Sequence, residues 1–175
     1  NEERDPVGFP ASDPNAIAVT ASTDKAELAW YSNVGPEAAM SAPSNGGVRG
    51  IFTTDVSTPD RGFNIGVAAN GGKDGLHYND FGGTSSATPL AAGVAALMLS
   101  VDPTLNRQAL RDLLQSTADK IGDGYDANGH SDEFGYGRVN AGKAVQQVVG
   151  LKTAAKKPTK KPKGAKKPAK KARKK

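Results

Sequence analysis

Apolar residues fall at helical spacing most clearly between positions 90 and 101. Leu90, Val94, Leu97, Met98 and Val101 recur every three or four residues, and Ala91, Ala92, Gly93, Ala95 and Ala96 fill the remaining positions with little bulk. The pattern predicts a closely packed helix with those five larger residues as its buried face. Ahead of it stands Phe81-Gly82-Gly83-Thr84-Ser85-Ser86-Ala87-Thr88-Pro89. Gly82 and Gly83 permit backbone angles closed to other residues, so a tight turn is predicted there, with Thr84 or Ser85 as N-cap. Pro89 lacks an amide donor and crowds the Ser85 carbonyl, which predicts a loose opening turn.

The rest of the chain is less periodic. Asn15–Ala21, Leu28–Ser32 and Val48–Thr54 read as strands, apolar and bounded by turn residues. Ala38–Ala42 is short and apolar, and Pro43–Gly47 reads as a turn. Residues 55–80 are rich in glycine without a clear period and read as a long loop. Leu110, Leu113 and Leu114 mark a second amphipathic helix over 105–114. Residues 119–137 are acidic and glycine-rich.

Length and composition narrow the picture. The 175 residues suffice for one domain with a core, and the absence of cysteine excludes a disulfide framework and thiolate metal sites. The longest apolar run is about a dozen residues, too short to span a bilayer, so no transmembrane segment is expected. The chain opens on Asn1 without an initiating Met or a signal peptide, and is expected to be a processed product or a piece of a longer protein. The net charge of +5 averages two unlike parts. Lys152–Lys175 holds 12 Lys, one Arg and no acid; removing those 13 cations from 23 leaves 10 against 18 acids, so the body carries about −8 and the tail +13. The division expected is a folded part over residues 1–150 and a disordered, lysine-, alanine- and proline-rich tail over 151–175. No aromatic residue interleaves the lysines of 152–175, so any binding to nucleic acid or another anionic polymer would be sequence-blind and salt-dependent.

A serine hydroxyl at a helix start sits among backbone amides that favour negative charge. That is the pairing acyl transfer uses, a nucleophile beside an oxyanion site. An isolated Gly-Thr-Ser would be only a loop and a cap. Here Gly83-Thr84-Ser85-Ser86-Ala87-Thr88-Pro89, followed by the alanine- and glycine-rich run to Leu97, resembles the nucleophile segment of the subtilisin-like serine proteases (subtilases), Gly-Thr-Ser-x-Ala-x-Pro. Val7–Ala11 with Ala16–Val19, Trp30–Glu37 with Met40–Pro43, and Tyr136–Ala141 with Ala144-Val145 resemble further segments of that family, so the likeness covers residues 1 to about 148.

The resemblance implies an α/β fold, an incomplete three-layer arrangement with a parallel sheet between helices. It implies a serine endopeptidase acting on polypeptides, with Ser85 as nucleophile, the Ser85 amide as one oxyanion donor and the Asn1 side chain as the other. It places Gly8 on the back wall of the pocket for the side chain before the cut, with Gly83 and Thr84 also bordering substrate. It requires no cofactor for the chemistry. The family's catalytic Asp and His precede its Ser, which puts them before residue 1; the chain alone is then expected to be inactive and to fold poorly. His77 matches a cleft-lining position, and His130, which Asp126 or Asp132 could orient, lies in the acidic loop. Asp126-Ala127-Asn128-Gly129 is reminiscent of a calcium loop, but Gly124 and Gly135 stand where an EF-hand needs its first and twelfth ligands. A solvated loop is the preferred reading there; a structural calcium ion is the alternative, with no ligand set assigned. Secretion or a cell-surface location follows from the resemblance, with an intracellular location as the other option. The alternative function is a non-catalytic, subtilase-like binding module directed to anionic polymers by its tail.

Overall fold

A computed structural model describes residues 6–57 and 61–155. Asn1 and residues 156–175 lie outside the described residues. The fold is α/β, with strands β1 (Ala18–Ser22), β2 (Ala38–Pro43), β3 (Ile51–Thr54) and β4 (His77–Phe81), and helices α1 (Thr84–Val101), α2 (Arg107–Ser116) and α3 (Ala141–Ala155). Strands β1 and β2 are parallel, in a register that sets Ala18 opposite Ala38 and Ser22 opposite Pro43. Strands β3 and β4 form a separate antiparallel pair.

Small side chains decide how the parallel pair packs. Alanine has little intrinsic preference for strands, but burial overrides propensity. Ala21, Ala42 and Ala87 are fully buried together, so α1 lies close against both strands. A second cluster joins Met40 of β2 to Ala91, Val94 and Met98 of α1, Leu114 of α2, and Ala144 and Val148 of α3.

The buried face of α1 is rotated from the one expected. Ser86, Ala87, Ala91, Val94 and Met98 are buried, whereas Leu90 is 36% and Leu97 52% exposed. Close approach to alanine-lined strands favours the small residues on that side. The N-cap also differs. Gly83, at φ 77°, supplies the turn, and no side chain caps the helix. Thr84 and Ser85 are already helical, which leaves their side chains outside the capping role. By length and composition alone α1 could cross a membrane, being longer than its apolar run because the turn residues join it. It packs instead on β1, β2 and α3.

Three further expectations change. Leu28–Ser32 is not a strand: Leu28 makes one bridge to Ser22, then Ser32 N donates to Ala29 O at 2.9 Å and closes a turn. The Ser32 hydroxyl accepts the Ala21 amide at 3.0 Å, in place of a strand partner. The stretch 55–80 is not all loop, since it contains a short 3₁₀ turn at Ala68–Asn70 and strand β4. β4 reads His-Tyr-Asn-Asp-Phe and is largely exposed, so no apolar alternation announces it. The intervening turns are organised by the buried side chain of Asn64, whose amide donates to Gly72 O and His77 O, both at 2.8 Å. Finally, α3 continues through Leu151–Ala155, where the tail is expected to begin. The first proline of the tail is Pro158, and Lys152 donates to the Val101 carbonyl at the end of α1.

Candidate active site

β4 ends at Phe81, Gly82 and Gly83 turn the chain, and α1 begins. Ser85 therefore stands on the first turn of α1 and is exposed. Its neighbour Ser86 has the opposite fate: it is 1% exposed, and its hydroxyl meets Ser44 Oγ at 2.8 Å and donates to Gly83 O at 3.1 Å. Helical geometry separates the two by about 100°, so one points outward and the other into the core. The amides opening a helix lack intrahelical acceptors, and the helix dipole favours negative charge there. Ser85 is thus an exposed hydroxyl at a site suited to a developing oxyanion.

The turn itself is held by residues that sequence reading passes over. The Gly83 amide donates to Tyr31 Oη at 3.2 Å and to Asn45 Oδ1 at 3.3 Å. The Gly83 carbonyl accepts from Ser44 Oγ at 2.8 Å. Tyr31 Oη also contacts Ser44 Oγ at 2.6 Å and donates to Asn45 Oδ1 at 2.8 Å. A Cβ on Gly82 would overlap the Asn45 side-chain amide, so this glycine is set by close approach. A buried tyrosine and two turn residues carry no pattern of their own; only their convergence on Gly83 marks them.

Gly8 and Thr84 line one pocket of about 240 Å³, with Phe9, Pro10, Thr20 and Asn33. A Cβ built on Gly8 meets nothing within 4 Å, so the position faces open space.

Neither histidine is joined to Ser85. His77 stacks on Phe52 with ring centroids 5.3 Å apart. His130 Nε2 lies 2.8 Å from the Ala38 carbonyl, and its Nδ1 is 3.9 Å from Asp132. His130 is thereby pinned to β2.

The acidic loop is organised by its own groups. Asp126 Oδ1 accepts the amides of Asn128 at 2.9 Å and His130 at 2.8 Å. These bonds, that of His130 first, hold its pKa below the usual carboxylate value. Lys120 donates to the carbonyls of Gly129 and Tyr136 and sits 4.2 Å from the Tyr125 ring centroid. Burial lowers the Lys120 pKa, against the attraction of Asp126. Among the described residues no three His, Asp or Glu side chains converge as metal ligands. The Asp126 carboxylate is committed to the loop's own amides.

The model of the subtilase family matches residues 1–137. The calcium-dependent protease of Trichormus variabilis is 43% identical over 153 residues, covering 83% of this chain and 23% of that protein. The halolysin-like extracellular serine protease Nep of Natrialba magadii is 37% identical over 145 residues, covering 83% and 22%. The crystal structure of fervidolysin from Fervidobacterium pennivorans, a keratinolytic enzyme related to subtilisin, is similar at a TM-score of 0.61 and 27% identity, over 79% of this chain and 20% of that one. The chain thus spans about a quarter of the length of the curated relatives it matches.

Proposed function

The chain belongs to the subtilase family of serine peptidases, and on that premise we propose that it carries the nucleophile-bearing, C-terminal portion of a serine endopeptidase domain, followed beyond α3 by a basic tail. The observation that carries the reading is the exposed Ser85 hydroxyl on the first turn of α1, within a family-type nucleophile segment.

In this reading Ser85 Oγ attacks the scissile carbonyl carbon as its proton passes to a base. The carbonyl oxygen becomes an oxyanion that accepts from the Ser85 amide and from the side chain of Asn1. Collapse expels the amine, which takes the proton, and leaves an ester on Ser85. Water then hydrolyses that ester by the same steps in reverse roles. His77, stacked on Phe52, and His130, bonded to the Ala38 carbonyl, are not joined to Ser85, and we assign the base to neither. The family order of Asp, His and Ser puts both partners ahead of residue 1. Without them the 175-residue chain alone has no efficient route to a nucleophilic Ser85; loss of the base costs a subtilisin about 10⁶ in turnover. The pocket lined by Gly8 and Thr84 receives the side chain before the cut.

Calcium dependence is supported by the name of the Trichormus relative, a calcium-dependent protease, rather than by any ligand set among the described residues. A chelator followed by added Ca²⁺ should then abolish and restore activity of the intact protein. Extracellular action is likewise suggested by the name of the Natrialba relative.

The direct test is a fluorophosphonate probe applied to the full-length protein. Labelling at Ser85, abolished by Ser85→Ala, is the expected result. A folded protein left unlabelled would favour the binding-module reading, whose supporting feature is the lysine-rich tail.

A further inference from the structure

We infer that Tyr31 is a positioning residue for the attacking serine, an assignment that rests on the reading of Ser85 as nucleophile. Both backbone polar groups of Gly83 are held by side chains from three separate parts of the chain. Its N–H meets Tyr31 and Asn45, and its C=O meets Ser44 and Ser86. The three hydroxyl protons are shared over more contacts than they can fill at once: Tyr31 O–H serves Asn45 Oδ1 or Ser44 Oγ, Ser44 O–H serves Gly83 O, and Ser86 O–H serves Gly83 O or Ser44 Oγ, while Gly83 N–H serves Tyr31 Oη and Asn45 Oδ1.

The cluster is anchored on the strands. Ser44 follows β2, and its amide donates to the Ser22 carbonyl at the end of β1 at 2.8 Å. Tyr31 is 7% exposed and packs edge-on to Trp30 at 5.4 Å. The turn before the nucleophile is therefore tied to the parallel pair by polar bonds rather than by packing alone. Gly83 has φ 77° and no side chain of its own to fix it, so these bonds set the direction in which α1 starts. They also set where the Ser85 hydroxyl and amide point, two residues on. Errors of an ångström there weaken catalysis steeply. Phenylalanine at position 31 would preserve the ring packing around Ala21, Ala42 and Ala87 and remove only the hydroxyl.

The test uses the full-length protein and three readouts: kcat, KM and the rate of fluorophosphonate labelling of Ser85. Tyr31→Phe is expected to lower kcat and the labelling rate about tenfold, the effect of one lost hydrogen bond expressed at the transition state, with KM within about twofold. Ser44→Ala, which leaves the ring in place, should act in the same direction. The double variant should fall short of the product of the two single effects, because both act through Gly83. Val148→Ala, a core change remote in the fold, should lower the thermal midpoint and leave kcat unchanged. Tyr31→Phe and Ser44→Ala with unchanged labelling rates, while unsubstituted Ser85 is labelled normally, would overturn the positioning role and leave the nucleophile reading standing. An unlabelled Ser85 in the unsubstituted protein would overturn both.

Discussion

Ser85 and Ser86 are chemically identical neighbours, and only one faces solvent. Single positions around them make separable predictions. At Gly8 a side chain would project into open space rather than into backbone. Gly8→Val should therefore fold and shift preference in the intact peptidase toward smaller residues before the cut, read as kcat/KM on a series of peptide substrates. Asp119 illustrates a pH effect. Its carboxylate accepts from Lys143 Nζ at 2.5 Å and Asn140 Nδ2 at 2.8 Å, and these partners, Lys143 first, lower its pKa from the usual 3.8. A depressed carboxylate stabilises the fold above its unfolded pKa, and that contribution disappears as pH falls through the folded value. Melting curves of the intact protein and Asp119→Asn should therefore differ near neutrality and converge as pH falls below the usual carboxylate range. The effect should be small, because both partners are partly exposed.

Among the elements, α1 does two jobs at once. Its first turn presents Ser85, and its body carries the core through Ala87, Ala91, Val94 and Met98. Met98 is fully buried between β2, α2 and α3. Met98→Ala should cost about 2–5 kcal/mol in denaturant unfolding of the intact protein, the range for truncating a large buried side chain. The helix was legible from its spacing, but its inward face only in part: Val94 and Met98 point inward as expected, while Leu90 and Leu97 do not. Periodicity marks which residues share a side; the alanines of β1 and β2 decide which side comes inward. β4 was illegible for a related reason. Its residues are mostly polar, and its pairing with β3 rests on backbone bonds that composition does not advertise.

Across the whole molecule, charge is divided between an acidic body and a basic end. Retention on heparin and on duplex DNA should weaken steeply from low to moderate salt and vanish when residues 156–175 are removed, as counterion release requires. Equal retention of both forms would dismiss a binding role for the tail. What the chain of residues determined alone was local and chemical: the nucleophile segment, two amphipathic helices, the acidic loop and the basic end. Those features depend on neighbours a few positions apart, and short-range spacing encodes them. The tertiary structure decided what depends on distant partners. It separated exposed Ser85 from buried Ser86, pinned His130 to β2, extended α3 to Ala155, and brought Tyr31, Ser44 and Asn45 onto the backbone of one residue, Gly83. Tyr31 and Gly83 are 52 residues apart, and a contact across that distance exists only once strands and helix have packed.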